Sequence, residues 1–342
     1  MSKAAELAAL IGSQSALSNR NLIINGAMQV AQRGTSTSSI SSGDTYPSVD
    51  RFMLRVSSAG TWTHSQSTDA PAGFSSSLKM DCTAADASLA ADDNIQVQYR
   101  FEGQDLQQLD FGSAGAKSLT LSFWIKATKT GTNIVELYQD DGNDHIAKSY
   151  TVDSADTWEH KTITFSGNTL ASIANDNTRG LIVQFFLAAG SNFQSGTLAT
   201  SWAGYVQGNE AVGQVNHADS TSNDWYITGI QLEIGEQATP FEHRSFADDL
   251  TACQRYYETL IIGAGNFDIA STERTADDDR AKWDFKVRKR ANCTAALGAG
   301  GSWGTGTPTF YNGTENVNFN RAGIFNLNGT GGTIGLVADS EL

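Results

Sequence analysis

The stretch NIQVQYRF, at residues 94–101, alternates apolar and polar side chains along its whole length. Because successive side chains of an extended chain point to opposite faces, this period of two predicts a β-strand with one buried face. The buried face would carry Ile95, Val97, Tyr99 and Phe101. The polar face would carry Gln96, Gln98 and Arg100. We therefore expect a sheet covered on one side, as antiparallel sheets commonly are.

The same alternation recurs throughout residues 21–244, which we predict to be one domain. In SLTLSFWIKA, at 118–127, apolar side chains alternate with polar ones and with Trp124. Five further stretches continue the series: RFMLRV at 51–56, NIVELYQDD at 133–141, TWEHKTITF at 157–165, LIVQFFLAA at 181–189 and WYITGIQLEIG at 225–235. Turn-forming residues separate them, and DDGND at 140–144 predicts a hairpin. Since no helical pattern intervenes, the predicted fold class is mainly β, an antiparallel β-sandwich of the jelly-roll type.

Composition narrows the possible classes of function. The chain has 342 residues, which favours two domains, and its formal net charge is −14. An acidic chain repels the phosphate backbone, so no nucleic-acid partner is predicted, and the same charge disfavours binding to anionic lipid headgroups. The three cysteines, Cys82, Cys253 and Cys293, form no CxxC pattern. Neither a zinc site nor a disulfide framework is therefore predicted, and no cofactor, as for a protein made in a reducing cytosol.

Residues 1–20 are predicted to be an attachment segment. KAAELAALI, at 3–11, places Leu7 and Ile11 on one face of a short helix that also contains Leu10. A helix of this length is marginal alone, so we expect it either to dock on a partner or to remain a frayed terminus. The segment lacks the long apolar core of a secretory signal, and the longest apolar run, at 180–190, is too short to span a bilayer. No membrane insertion is predicted.

The β-sandwich is predicted to end at a linking helix over residues 245–260. Pro240 stops the last strand, and Ser245 with Asp248 forms a weak capping box. The apolar residues that follow have the spacing of a seam two heptads long: Phe246, Leu250, Cys253, Tyr257 and Leu260. This seam has two interpretations, a helix packed on its own sheet or an oligomer interface where helices of three subunits meet on an axis.

Residues 261–342 are predicted to form a small C-terminal β domain. KWDFKV, at 282–287, alternates apolar and charged side chains, and the segments at 316–329 and 332–342 have the pattern of closing strands. A glycine-dense segment at 298–310 carries Trp303. We expect this domain to be a tip that faces outward.

Four blocks of the chain together resemble a recurring module of bacteriophage tail fibre proteins. They are NLIINGAMQVAQRGTS at 21–36, TWEHKTITFSG at 157–167, STSNDWYITGIQLEIG at 220–235 and ATPFEHRSFADDLTACQRYYE at 238–258. The final GGTIGLVADSEL, at 331–342, is similar to the C-terminal ends of such fibres.

The resemblance implies a structural protein of the virion, made in the host bacterial cytoplasm. It implies a homotrimer whose β-sandwich is similar to carbohydrate-binding modules and which attaches to host surface polysaccharide. Residues 1–20 would then hold phage tail or capsid proteins, with Leu7, Leu10 and Ile11 as anchor candidates. Because no extended shaft separates this segment from the sandwich, a capsid-mounted fibre, spike or decoration protein remains an alternative to a tail fibre.

Glycan binding predicts a particular set of side chains. Aromatic rings contact the faces of sugar rings, and planar polar groups bond to hydroxyls. The candidates on the one polar face of the predicted sheet are Gln98, Arg100, Trp124, Lys126 and Tyr138, with Trp303 as a tip contact. We expect Trp124→Ala to lower binding to host cells, unless Trp124 instead packs under a loop or against a neighbouring subunit.

The sequence contains no pattern that predicts catalysis. GxSxG, HExxH and P-loop motifs are absent, and no coil repeat of a β-helix occurs. Carboxylates such as Asp140, Asp141 and Asp144 cluster in turns, where solvation is the default and no metal site is predicted. We therefore predict a protein that is not an enzyme. A polysaccharide depolymerase, which needs two carboxylates about 5–10 Å apart, is the third hypothesis.

Overall fold

The structure, a computed structural model, describes residues 19–262, 265–267, 273–275, 278–297, 301–305, 309–321, 326–329 and 333–342. The predicted N-terminal helix and the anchor candidates Leu7, Leu10 and Ile11 lie outside the described residues. The chain divides into two compact units, with the division between Ser245 and Phe246.

Antiparallel strands build the first unit. They are β1 (Ser36–Thr45), β2 (Phe52–Ser67), β3 (Ser77–Ala84), β4 (Asn94–Glu102), β5 (Leu119–Ala127), β6 (Gly131–Gln139), β7 (Asp144–Val152), β8 (Glu159–Phe165), β9 (Arg179–Ala189), β10 (Ala203–Gly204) and β11 (Asp224–Ile234). They are hydrogen-bonded in the order β10-β7-β6-β9-β4-β2-β3-β11-β5-β8, and β1 pairs with β2. The predicted hairpin at 140–144 joins β6 to β7.

The long strand β2 folds this sheet into two layers. Its first half pairs with β4, from Phe52 to Ser58, and its second half pairs with β3, from Thr61 to Ser67. The first layer therefore contains β10, β7, β6, β9 and β4, and the second contains β3, β11, β5 and β8. The layers meet at Phe123 of β5, whose ring lies 5.1 Å from that of Tyr150 and 5.2 Å from that of Phe185. The predicted fold class, an antiparallel β-sandwich, is confirmed.

Strand β4, which contains NIQVQYRF, lies between β9 and the first half of β2. The apolar side chains of β4 enter the core, as the alternation requires, but its polar side chains are buried as well. A second apolar cluster on the outer face of this layer explains part of that burial, since it packs the segment after β9 against β6, β7 and β9. Its members are Ile134, Ala147, Phe186, Ala189, Phe193 and Ala211. The outer face is therefore partly covered and contains buried polar groups.

The second unit begins with helix α1 (Phe246–Gln254) and continues as short strands. These are β12 (Tyr257–Ile262), β13 (Gly265–Phe267), β14 (Glu273–Thr275), β15 (Asp278–Asp284), β16 (Thr294–Leu297), β17 (Gly301–Thr305), β18 (Thr309–Asn312), β19 (Asn316–Arg321), β20 (Asn326–Gly329) and β21 (Thr333–Asp339). They form three small antiparallel sheets, and a core cluster includes Trp283, Val317, Phe319 and Leu336. The second unit is therefore mainly β, as the predicted fold class expects, and it begins at Phe246 instead of at residue 261.

The helix predicted over 245–260 is shorter than expected, and the two-heptad seam is wrong. Helix α1 ends at Gln254, and Tyr257 and Leu260 lie in β12, where they pair with Asp339 and Leu336 of β21. The physical reason is the composition after the helix, YYETLII, whose aromatic and β-branched side chains favour a strand. A sheet partner distant in sequence completes that strand, and heptad spacing alone does not reveal it.

Candidate functional site

A polar cavity of about 250 Å³ opens on the outer face of the first layer. It is lined by Asp44, Arg55, Arg100, Tyr138, Arg179, Ile182, Gln184, Tyr205 and Glu210. The sheet register explains how distant parts of the sequence meet there. Ile182 of β9 pairs with Arg100 of β4 on one side and with Tyr138 of β6 on the other, so the three side chains form one row across the sheet. The next row contains Gln98, Gln184 and Glu136.

A continuous hydrogen-bond network forms the floor of the cavity. Gln98 Nε2 donates to Gln96 Oε1 at 2.6 Å and to Gln184 Oε1 at 2.8 Å, and Gln184 Nε2 donates to Glu136 Oε2. Arg100 Nη2 donates to Gln98 Oε1 at 3.0 Å. Because each buried polar group in such a network holds the orientation of the next, the network fixes the side chains that face the cavity.

Three guanidinium groups lie around the cavity. Asp44 bridges two of them, with Oδ1 at 3.3 Å from Arg55 Nε and Oδ2 at 3.2 Å from Arg100 Nη2. Arg179 Nη2 donates to Asp140 Oδ1 at 2.6 Å, while Arg179 Nε is buried and has no hydrogen-bond acceptor among the described residues. The cavity therefore offers planar donors that ion pairs hold in place.

Two tyrosine rings form the aromatic part of the lining. The rings of Tyr138 and Tyr205 are 5.6 Å apart and nearly perpendicular, and both side chains are half-buried. The Tyr138 hydroxyl donates to Asn143 Oδ1 at 2.7 Å. The backbone N–H of Tyr205 donates to the carbonyl oxygen of Asn143 at 2.8 Å, and the adjacent β10 pairs with β7, so Tyr205 is held although it lies outside a strand.

A buried acid pair lies at one side of the cavity. Burial raises the pKa of Glu136 to about 8 and that of Glu210 to about 9, and the neighbouring Glu136 carboxyl also raises the pKa of Glu210. Glu136 Oε1 lies 2.6 Å from His145 Nδ1, whose pKa is lowered by burial, and Glu210 Oε2 has no hydrogen-bond partner among the described residues. Glu210 is therefore a neutral carboxyl at pH 7, with one oxygen unpaired.

This acid pair predicts that the protein loses stability as the pH rises above neutral. A carboxyl with a raised folded pKa keeps a proton that the unfolded chain has already released, which costs at most about 1.4 kcal/mol per pH unit for each group. Buried histidines such as His64 and His217 act in the opposite direction, but only below their ordinary pKa of 6.5. From about pH 7 to about pH 9 we expect the free energy of unfolding to fall by at most about 4 kcal/mol, the sum for the two carboxyls.

Urea unfolding at several pH values measures this slope. Glu136→Gln keeps an acceptor and removes a titrating carboxyl, so we expect a flatter slope, while the exposed Glu315→Gln should leave it unchanged. A wild-type stability that stays constant or rises over this pH range would contradict the assignment of buried, protonated carboxyls.

The structure separates the predicted glycan-binding residues. Arg100 and Tyr138 line the cavity, and Gln98 is fully buried beneath it. Trp124 and Lys126 lie on β5, in the second layer, where the Trp124 ring is 5.1 Å from that of His160 and Lys126 pairs with Asp69. The expectation of one shared polar face is wrong because the fold at β2 places β4 and β5 in different layers, which a period of two does not show.

The remaining predicted residues belong to the second unit. Trp303 lies in β17, and its side chain is outside the described residues. Among the interface candidates, Phe246 is 54% exposed, Leu250 and Leu260 are partly exposed, and Cys253 and Tyr257 are buried. The sequence did not single out the lining residues Asp44, Arg55, Arg179, Tyr205 and Glu210. The loop residues Tyr205 and Glu210 have no periodic pattern that would indicate their place.

Two further properties concern ligands and membranes. In the part of the chain that the structure describes, no three His, Cys, Asp or Glu side chains are arranged to hold a metal ion. Within the same residues, no helix combines the length and the apolar character needed to cross a membrane.

Comparison with known proteins gives three solved structures of interest. The enzymatically active domain of tailspike protein 4 of bacteriophage CBA120 is 13% identical with a TM-score of 0.32, and the match covers 63% of this chain but only 21% of that one. The family 11 carbohydrate-binding module of the Clostridium thermocellum cellulase Lic26A-Cel5E is 12% identical with a TM-score of 0.30, covering 59% and 100% of the two chains. The module TmCBM61, solved with β-1,4-galactotriose, is 9% identical with a TM-score of 0.29, covering 64% and 100%.

These values are too low to carry an argument about what this chain binds. No protein-family model matches the chain, and no curated protein sequence matches it significantly.

Proposed function

We propose that this protein is a non-enzymatic bacteriophage fibre protein, a tail fibre that attaches to host surface glycans through the cavity of the first layer. The observation that carries the glycan part is the lining itself, with two half-buried tyrosine rings beside fixed guanidinium, amide and carboxyl groups. Sugars are bound by this combination of aromatic faces and planar hydrogen-bonding groups. The phage part is supported by the four sequence blocks that resemble tail fibre modules.

The size of the cavity limits how much of a glycan it holds. Its volume of about 250 Å³ is below the roughly 300–1,000 Å³ of pockets that enclose drug-sized ligands. We therefore expect it to hold a single sugar unit of a longer polysaccharide, with the rest of the chain lying outside. Tyr138 and Tyr205 would contact the apolar face of that sugar, and Arg100 and Gln184 would bond to its oxygens.

Removing one tyrosine ring should weaken binding strongly. We expect Tyr138→Ala to lower the affinity for host polysaccharide about tenfold or more, because a lost ring contact and its buried area amount to about 1.4 kcal/mol or more. Trp124→Ala, on the second layer, should leave the affinity unchanged. Binding of each purified variant to immobilised host polysaccharide measures the difference, and circular dichroism checks that both are folded.

The two variants also decide between the cavity and the surface around Trp124. If Trp124→Ala abolishes binding and Tyr138→Ala does not, the cavity is not the glycan site and the original expectation from the sequence is correct.

Assembly and mounting are part of the same proposal. The chain would form a homotrimer, with residues 1–20 attached to phage tail or capsid proteins, on the surface of the virion. Phe246, which is 54% exposed, is a candidate for the contact between subunits. Native mass spectrometry measures the number of subunits, and antibody labelling of virions distinguishes a tail fibre from a capsid-mounted fibre.

A polysaccharide depolymerase is the alternative that the acid pair favours. A buried carboxyl with a raised pKa is a suitable general acid. However, hydrolysis needs a second carboxylate about 5–10 Å away, whereas Glu136 and Glu210 lie close enough to hydrogen-bond. We expect no reducing ends to appear when the protein is incubated with host polysaccharide, and their release would defeat the non-enzymatic proposal.

A further inference from the structure

We infer that the sugar unit held in the cavity is acidic and that its carboxylate pairs with the guanidinium of Arg179. This inference rests on the proposed glycan-binding function and specifies its ligand class. Three observations lead to it: the charge of the lining, the unused donor of Arg179 and the neutral state of Glu210.

The lining is cationic although the chain as a whole is acidic. Arg55, Arg100 and Arg179 face the cavity, whereas its lining contains two carboxyl groups, Asp44 and the protonated Glu210. Asp44 forms ion pairs with both Arg55 and Arg100. Asp140, the ion-pair partner of Arg179, lies outside the lining. In a chain of net charge −14, this local excess of positive charge indicates an anionic ligand.

Arg179 has a donor that no described residue uses. Its Nη2 is bonded to Asp140, and its Nε is buried without an acceptor among the described residues. A buried donor on a charged group is costly when it is left unpaired, and a carboxylate matches the planar edge of a guanidinium. The Arg179 side chain lines the cavity and is 33% exposed, so a ligand reaches the exposed part of this side chain, although Nε itself is buried.

Glu210 would repel an acidic sugar if it were ionised. Burial and the neighbouring Glu136 carboxyl keep Glu210 protonated, so it adds no second negative charge to the lining.

The net negative charge of the chain limits the kind of anionic ligand that can bind. The ligand must carry its acid group into the cavity, where the arginines are close to it. At physiological ionic strength charges are screened beyond about 8 Å, so the cavity attracts an acid group that enters it, while the acidic surface repels an extended polyphosphate. A single uronic-acid type of residue within a polysaccharide satisfies both conditions.

An oligosaccharide array tests this inference. The probes are uronic-acid-bearing, sulfated and neutral oligosaccharides, and each uronic-acid probe is paired with its carboxyl-reduced, neutral form. We expect binding to the carboxylated probes and at least tenfold weaker binding to their reduced forms. Equal binding of the paired forms, or binding confined to the neutral or sulfated probes, would overturn the inference and leave glycan binding intact. Binding to no probe would overturn the proposed function and the inference together.

Substitutions test whether the preference for carboxylated probes depends on Arg179. We expect Arg179→Gln to weaken binding of the carboxylated probes tenfold or more and to bind the reduced forms as wild type does. Lys161→Gln, on β8 of the second layer, removes the same charge and should change neither. Arg55→Gln, whose side chain is 49% exposed, provides a second cavity variant if Arg179→Gln is unstable, and it should lower the preference for the carboxylated form as well. If Arg179→Gln weakens the binding of the carboxylated and the reduced form of a probe equally, Arg179 supports the fold and does not recognise the acid group.

Discussion

Replacing Phe123 with alanine should lower the free energy of unfolding of the first unit by about 3–5 kcal/mol. Phe123 is fully buried and lies between the two layers, with its ring against those of Tyr150 and Phe185. The substitution removes a large apolar side chain and leaves a cavity that the neighbouring strands cannot close, because hydrogen bonds to β8 and β11 hold β5 in place.

Urea unfolding monitored by tryptophan fluorescence measures this loss, since Trp225 lies in the same core. Leu170→Ala is the matched control, because Leu170 is 57% exposed and its truncation should change stability by less than about 0.5 kcal/mol. A loss below about 1 kcal/mol for Phe123→Ala would mean that the layers do not meet at this residue.

Replacing Lys289, a buried cation of the second unit, should lower the free energy of unfolding of that unit by about as much as Phe123→Ala lowers that of the first. Lys289 and Glu258 are both buried, with Lys289 Nζ 2.6 Å from Glu258 Oε2, and Nζ also donates to the carbonyl oxygen of Gln254 at the end of α1. Lys289→Met leaves a carboxylate in the interior without its partner. Breaking such a buried pair typically costs about 3–5 kcal/mol, so we expect the second unit to unfold at a much lower urea concentration.

The double variant Lys289→Met, Glu258→Gln is the control for this interpretation. It removes both charges, so most of the lost stability should return, because a neutral pair avoids an unpaired charge. If the single and double variants are equally unstable, Lys289 acts through packing and not through its charge.

The sequence predicted the strands well because burial imposes a period of two. The alternation in NIQVQYRF placed Val97 and Tyr99 in the core and Gln98 and Arg100 on the opposite face, as the structure shows. It did not predict that this second face is buried. That burial depends on a segment after β9 that folds back over the sheet, and nothing local in β4 indicates it.

The candidate site was predicted in part for the same reason. Arg100 and Tyr138 were selected as polar-face residues, but they meet only because β9 lies between β4 and β6. Strand order arises from long-range pairing, which a single sequence does not display. Trp124 has the same local pattern as Arg100 and lies in the other layer. Glu210 and Tyr205 lie in a loop, and only the packing of that loop brings them to the cavity.

The error in the linking helix has a different origin. The spacing of Phe246, Leu250 and Cys253 fits a helix, and a helix is present there. The next two apolar residues continued the spacing by coincidence, because Tyr257 belongs to a strand whose partner lies some 80 residues further along the chain. Two heptads are too short a pattern to distinguish these cases.

We propose that the outer face of the first layer, and no other surface, holds a sugar. A crystal structure of the protein soaked with a carboxylated oligosaccharide that binds it would show where the sugar lies. We predict density for one sugar unit beside Tyr138 and Tyr205, with its acid group at the guanidinium of Arg179. Sugar density at Trp124 or elsewhere, with the cavity holding only solvent, would contradict the account.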